Sequence, residues 1–398
     1  LTELEELMMD DRPPAVTTAA AGAAARAAAG AATADRERRL GHETVEALTA
    51  AGFARHFVPA GWGGGAGGFG ALVEAAATVA EGCPSAAWCG MLWAAHGRFA
   101  AFLPSEGQRN LWGGSPDVRV AAAVMPPSGV ALPTSVDGGD GWSVSGEWHT
   151  ASGVDHSDWV LLGAWEQSGD DGAGSRARVL AVPVAGPALA VKDTWNSVGL
   201  RGTGSNTVVS DGLFVPRHRS FVLADLLRGT GARGTRARCH TVPAQLAGGL
   251  MFAAPALGAA RAALRVWSDW AGEAATDGGR ANHDSASVRE TLLRSSGETD
   301  AAGLLLTEAA RRADTEPVTD LLVARNRRDA AVATDLLVTS VERLLRTGGV
   351  HLRDACGDLQ RLWRDVHTVA AHGVLRLEPV AEAYAGTVFA GGRQAPGR

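Results

Sequence analysis

Asp193-Thr-Trp-Asn-Ser-Val-Gly-Leu-Arg-Gly-Thr-Gly-Ser-Asn-Thr-Val-Val-Ser-Asp-Gly-Leu-Phe-Val-Pro216 is the stretch whose reading decides the fold. It crowds glycines, hydroxyls and one arginine into a single loop, then runs into an alternating strand that ends at Pro216. Gly199, Gly202 and Gly204 let the backbone turn where a side chain would clash, and Thr203, Ser205 and Thr207 supply small donors and acceptors. Held between strands, such a loop is suited to lie against a flat polar ligand.

The strand belongs to a block with a texture of its own. From about Val118 to Leu223 come short runs rich in Val, Trp and Thr: Val118–Met125, Trp142–Ala151, Trp159–Trp165, Ala177–Val184 and Thr207–Val215. Turn clusters at Asp137-Gly-Gly-Asp140 and Gly169–Gly174 separate them, which predicts an antiparallel sheet or barrel of roughly 100 residues. The chain on either side reads as helix. Before the block, Val16–Ala34, Val45–Ala51, Leu72–Glu81 and Ala86–Leu103 are Ala-rich or helically spaced. After it, Ala244–Ala271, Ala286–Thr315, Val318–Thr347 and Leu359–Tyr384 are expected to be four long helices of a bundle, broken at Gly278-Gly279, Thr315–Pro317 and Gly348-Gly349. The fold class is α+β, with a helical domain over 1–117, a β domain over 118–223 and a helical bundle over 224–398. The glycine run Gly61–Gly70 reads as a loop between helices, since no strand precedes it and no GxGxxG or GxxxxGK[ST] pattern fits.

At 398 residues the chain needs more than one core, and 46% hydrophobic residues suffice to build them. The net charge of −6 argues against a nucleic-acid or anionic-membrane partner. Cys83, Cys89, Cys239 and Cys356 show no metal-ligand spacing, so reduced thiols are expected in place of disulfides or zinc. No run approaches the ~18 uninterrupted apolar residues of a membrane helix, and the N-terminal sequence lacks a basic-then-apolar signal pattern. A cytoplasmic protein is the expectation.

The helical, β, helical order, with the Asp193–Pro216 loop closing the β block, resembles the acyl-CoA dehydrogenase superfamily over nearly the whole chain. The loop is especially similar to the class D flavin monooxygenase branch, which includes the oxygenase component of 4-hydroxyphenylacetate 3-hydroxylase, dibenzothiophene monooxygenase and the amino-sugar nitrososynthases. Gly146-Glu-Trp-His-Thr-Ala-Ser152-Gly153-Val-Asp-His-Ser-Asp158-Trp159 looks like that branch's GxWxxxSG strand, and Leu359-Gln-Arg-Leu-Trp-Arg-Asp365-Val-His367-Thr-Val-Ala-Ala-His372 like its final-helix motif. The resemblance implies a homotetramer and a diffusible reduced FMN or FAD bound between β block and bundle. It further implies a separate NAD(P)H:flavin reductase, addition of O2 at flavin C4a, and transfer of one oxygen to a small organic, aromatic or secondary-metabolite substrate by hydroxylation or N- or S-oxidation.

Residue roles follow from that likeness. In a dehydrogenase of the superfamily a carboxylate removes the α-proton of an acyl thioester; counted from Arg364-Asp365, that register falls here on His372-Gly373, and Glu378 lies more than a turn further on. An imidazole suits hydrogen bonding to a hydroperoxide near neutral pH. Packing within the bundle is the blander reading, and the motif favours function. Thr368 is placed one turn before His372 to orient it, and His367 is assigned a structural or interface role. Ser152 matches the family serine beside flavin N5 and O4, or else caps the strand end. His96, on a helix with Trp88, Trp93 and Phe99, contacts substrate or lines the core. Arg201, Thr203 and Ser205 would meet the ring's charge and polar edge, or pin the loop by their own hydrogen bonds. Trp148 and Trp195 stack on flavin or fill the core, with core the safer reading. No Arg plus Gln-Phe-Gly segment, the mark of permanently held FAD, occurs between Ala244 and Thr315; Arg261 and Arg289 are offered as phosphate contacts on charge and placement. The competing readings are an acyl-CoA dehydrogenase or oxidase and a redox-inactive binding subunit.

Overall fold

Alanine at three- and four-residue spacing makes the first helix, α1 (Val16–Glu37), which buries Val16, Ala20, Ala23, Ala27, Ala31 and Ala34 along one face. The computed structural model describes residues 15–167, 176–186, 188–232, 234–273, 285–348, 352 and 357–392. The turn expected at Gly169–Gly174, the break at Gly278-Gly279, Gly349 and Cys356 lie outside them. Four helices follow α1: α2 (His42–Ala50), α3 (Phe69–Gly82), α4 (Pro84–Ala100) and α5 (Ser105–Trp112). The glycine-rich loop before α3 is closed by protein groups. The Asp314 carboxylate accepts from the N–H of Phe69 at 2.7 Å and of Gly70 at 2.9 Å, filling the place an anion takes at a helix N-terminus.

Among the described residues the middle of the chain forms eight strands: β1 (Val120–Ala123), β2 (Gly129–Val136), β3 (Gly139–Ala151), β4 (Trp159–Glu166), β5 (Arg176–Pro183), β6 (Leu189–Lys192), β7 (Asn206–Pro216) and β8 (Ser220–Val222). They run in the order β6-β7-β3-β2-β4-β5-β8, with β1 also on β4. The sheet is mixed, where the sequence suggested antiparallel pairing throughout. One edge of β4 takes β1 at residues 159–162 and β2 at residues 164–166, both parallel. Alternation on β3 turns Trp142, Val144 and Trp148 inward, where they pack with Val160, Leu162, Leu180 and Val208.

Helices resume with α6 (Leu223–Arg228), α7 (Arg238–Thr241), α8 (Ala244–Gly272), α9 (Ala286–Thr315), α10 (Asp320–Thr347), α11 (Asp358–Ala370) and α12 (Leu377–Gly392). By length and composition α8 could cross a membrane, yet its most apolar window is 83% buried in the fold, as the central helix of a core. The expected single helix over Leu359–Tyr384 is two helices. α11 ends at Ala370, and His372 caps a short 3-10 turn, Gly373–Leu375, before α12 begins. Gly373 and Pro379 are the sequence's reasons for a break there.

Candidate active site

The opening loop and α11 touch through backbone. A Cβ on Gly199 would lie 2.2 Å from the Arg364 carbonyl oxygen, so only glycine permits the approach. Beside it the Leu200 N–H donates to the Asp365 carboxylate at 2.6 Å. Burial pushes the Asp365 carboxyl up to about 6. Arg364 pairs with Asp35 of α1 at 2.8 Å. Arg201 donates to the carbonyls of Asp35 at 2.9 Å and Ser197 at 3.1 Å, so its guanidinium pins the loop to α1. Of the two roles expected for it, these bonds are those of loop pinning. At the C-terminus of α1, Arg38 holds the loop's other end through the Trp195 carbonyl at 2.8 Å and Asp193 at 2.7 Å.

Leu200 (φ 48°) and Gly204 (φ 50°) bracket a tight turn that carries Thr203 and Ser205 inward. There they form a row of hydroxyls with Ser152: Ser152 Oγ to Ser205 Oγ is 2.6 Å, Ser205 Oγ to Thr203 Oγ1 is 2.8 Å, and Thr203 Oγ1 to the Leu200 carbonyl is 2.8 Å. The end of β3 is irregular at this point. Its register against β7 shifts between Trp148 and Ala151, and Thr150 has φ 63°. A β-branched residue in the left-handed region is strained, and strain of this kind gathers at functional sites. A cleft of about 450 Å3 opens alongside, lined by His149, Thr150, Thr194, Trp195, Ser205 and neighbouring residues. Its volume is that of a small-molecule site.

Trp88 of α4 joins the row to the bundle. Its indole N–H donates to Ser152 Oγ at 3.1 Å, and its ring lies 5.8 Å from His372 and 5.2 Å from Phe252 of α8. Phe252 stacks on His372 with centroids 4.0 Å apart at 23°. His372 Nδ1 accepts the Val374 N–H at 3.4 Å, which leaves its proton on Nε2. Burial pulls the imidazole down to about 4, so it is neutral at pH 7. Thr368 does not orient it, as its hydroxyl donates to the Arg364 carbonyl one turn back. His367 lies against Trp363 at 4.5 Å and faces Glu342 at 3.5 Å.

The remaining expected residues are placed elsewhere. His96 sits two turns beyond Trp88 on α4, about 12 Å along the helix. Its Nδ1–H donates to the Val120 carbonyl at 2.9 Å, leaving Nε2 as an acceptor, and burial lowers its pKa to about 4. Trp148 is fully buried in the sheet core and donates to the Gly163 carbonyl at 2.7 Å, so the indole fills space and does not stack on a ligand. Arg261 lies 3.9 Å from Glu81, nine residues beyond Phe252, and Arg289 is exposed on the first turn of α9; within this chain neither comes to the hydroxyl row. Trp88 and Phe252 escaped the sequence reading. An apolar helix signals core and says nothing of which aromatic lies at its open end.

These neutral histidines make stability pH-dependent. His96, His240 and His372 all have pKa values near 4, against 6.5 for free imidazole. Between pH 6.5 and 4 the unfolded chain therefore binds three protons the folded one does not, and stability falls as pH falls. Asp365, raised from 3.8 to about 6, works the other way and offsets part of one. The expected net loss from pH 7 to 4.5 is on the order of several kcal/mol, measured by urea unfolding at both pH values. An unchanged unfolding midpoint would show that these rings are not held neutral.

Comparison with known proteins gives the family of this fold. The family model for the acyl-CoA dehydrogenase C-terminal domain matches residues 250–376. The flavin-dependent monooxygenase oxygenase subunit HsaA of Rhodococcus jostii (strain RHA1) is 31% identical over 346 residues, covering 84% of this chain and 88% of that protein. The oxygenase component of an FADH2-dependent resorcinol hydroxylase from Rhizobium sp. (strain MTP-10005) is 30% identical over 363 residues, covering 86% of each. XiaF from Streptomyces sp., solved with FADH2 and glycerol, superposes with a TM-score of 0.83 at 27% identity, covering 98% of this chain and 97% of that one. The chain belongs to the flavin-dependent monooxygenases built on the acyl-CoA dehydrogenase fold, as the oxygenase component of a two-component system that uses reduced flavin and O2.

Proposed function

We propose that Ser152, Thr203, Ser205 and His372 form the flavin side of the site, that His96 serves the substrate side, and that the substrate is a small phenolic aromatic hydroxylated on its ring. The observation that carries the reading is the meeting of the Ser152 hydroxyl row and His372 on the two sides of Trp88, one from the sheet and one from the bundle. Glu378, the carboxylate that follows in sequence, is exposed on the first turn of α12. The residues present fit a flavin: a hydroxyl acceptor at Ser152, a neutral donor at His372 Nε2 and a cleft reaching Ser205. Reduced FMN or FAD, delivered by the reductase, supplies the electrons and activates O2, of which one atom goes to the substrate and the other leaves as water. His372 donates a hydrogen bond toward the oxygen being transferred, and the Phe252 and Trp88 rings keep water from it. His96, with Nδ1–H fixed on Val120, offers the Nε2 lone pair to a phenol proton.

The phenol class rests on that lone pair and on the resorcinol hydroxylase among the relatives. A homotetramer in the cytoplasm is part of the same proposal, supported by apolar side chains left exposed on the bundle, among them Leu293, Leu304 and Phe389. To test it, reduced FMN or FADH2 is titrated into the protein without oxygen, then mixed with O2 and simple phenols, and product and H2O2 are measured. Catechol-type products are expected. Turnover of an acyl-CoA thioester with no reductase present would overturn the proposal.

A further inference from the structure

The direction of every hydrogen bond in the hydroxyl row follows from counting protons. A serine or threonine hydroxyl has one to give. Thr203 gives its proton to the Leu200 carbonyl at 2.8 Å, a group that can only accept and that also takes the Trp195 indole N–H at 3.0 Å and the Thr203 N–H at 3.1 Å. Ser205, 2.8 Å from Thr203 Oγ1, must then donate to it. Ser152, 2.6 Å from Ser205, must donate in turn to Ser205. At the other end the Trp88 N–H, which can only donate, enters Ser152 Oγ at 3.1 Å. The Trp88 end admits either direction, since Ser152 Oγ has a second lone pair; this direction is the one that gives all three hydroxyl protons an acceptor within the protein, and all three residues are buried, Ser152 the most open at 7%. Ser152 Oγ therefore has its proton taken and one lone pair left. To whatever lies against it, it is an acceptor only.

We propose that Thr203 and Ser205 are positioning residues that hold Ser152 as a pure hydrogen-bond acceptor, so that the site selects reduced over oxidised flavin. The proposal rests on the reading that Ser152 faces the N5 edge of the ring. N5 carries a hydrogen in the reduced ring and a bare lone pair in the oxidised one, whereas O4 accepts in both. An acceptor-only Ser152 satisfies the reduced N5–H, opposes the oxidised N5 lone pair and cannot serve O4. The discriminating information comes from a backbone carbonyl two hydroxyls away.

Thr203→Val keeps the shape and removes the hydroxyl. Ser205 can then turn its proton toward Ser152, freeing Ser152 to donate to oxidised N5. The readouts are the dissociation constants of oxidised FMN and, without oxygen, of reduced FMN, together with the midpoint potential of bound FMN. The ratio of oxidised to reduced constants is expected to fall about ten-fold or more, the scale of a misdirected buried hydrogen bond. Each ten-fold lowers the bound potential by about 30 mV for the two-electron couple. Thr203→Ser should restore the wild-type ratio. Ser205→Ala, which takes away Ser152's acceptor, should reproduce the fall and serves if the valine variant does not fold. Variants that bind flavin with an unchanged ratio overturn the proposal while leaving the site in place. Wild-type protein that binds neither form, or Ser152→Ala with both constants unchanged, overturns the placement of the flavin itself.

Discussion

Gly199→Val is expected to destabilise the protein by about 2–4 kcal/mol and to weaken reduced-flavin binding by about 100-fold or more. A Cβ there meets the Arg364 carbonyl oxygen at 2.2 Å, its carbon at 2.5 Å and Thr368 Oγ1 at 2.5 Å. Two of those atoms are helix backbone, which cannot swing aside as a flexible side chain can, so the loop must retreat. Retreat breaks the 2.6 Å bond from Leu200 N–H to Asp365, leaving a buried carboxyl without its partner. It also moves the Leu200 carbonyl that anchors Thr203, and with it the whole hydroxyl row. Gly248→Ala on α8, with nothing within 4 Å of the added Cβ, is the matched control and should be neutral or slightly stabilising. Thermal denaturation and anaerobic titration with reduced FMN check both variants. A Gly199→Val protein that melts and binds like the parent would mean the loop does not press on α11 as the structure has it.

That contact also explains why so much of the architecture could be read from the sequence. The glycine-and-hydroxyl loop and the Arg364-Asp365 pair lie far apart along the chain, and the close meeting of the two backbones requires a glycine on one side and is fastened by a carboxylate on the other. The order of helix, sheet and helix was legible for the usual reason, since period and composition change where layers change. Other features depend on partners that local sequence does not encode. Arg201 read as a cation for the ligand or as a pin for its own loop; it binds the carbonyls of Ser197, four residues back, and of Asp35, which only the folded approach of α1 reveals. The break after α11 was hidden because Leu359–Tyr384 has helical spacing on both sides of His372, while the helix stops at Ala370 and a 3-10 turn over Gly373–Leu375 stands before the next one. Phe252 sits in an Ala- and Leu-rich run that reads as core, and most of its neighbours are core. The parallel strands on β4 were invisible for a similar reason, as alternation fixes which face a side chain takes and not the direction of its neighbour.

His372→Ala is expected to cut the product formed per reduced flavin oxidised by about 100-fold, with most of the oxygen released as H2O2, because the variant loses a neutral donor in a dry position. Reduced-flavin affinity should change far less, which separates a role in oxygen transfer from a role in binding. The pH profile gives a sharper test. In the parent the imidazole pKa is near 4, so His372 stays neutral and the yield should be flat from pH 8 to about 5.5. Phe252 covers one face of that ring at 4.0 Å and is part of the burial that lowers the pKa. Phe252→Ala lets water reach the imidazole, and its pKa should climb back toward 6.5. The sign then follows directly. As pH falls through the raised pKa the ring gains a proton at Nδ1, loses the lone pair that accepts Val374 N–H, and swings from its position. Yield in Phe252→Ala should therefore be highest at pH 8, though below the parent's because water now enters, and drop a further several-fold by pH 5.5, while His372→Ala stays low and flat throughout. Phe252→Ala with the parent's flat profile would show that the stacked ring is not what keeps His372 neutral. A His372→Ala enzyme with the parent's yield would reduce the histidine to packing between Trp88 and Phe252.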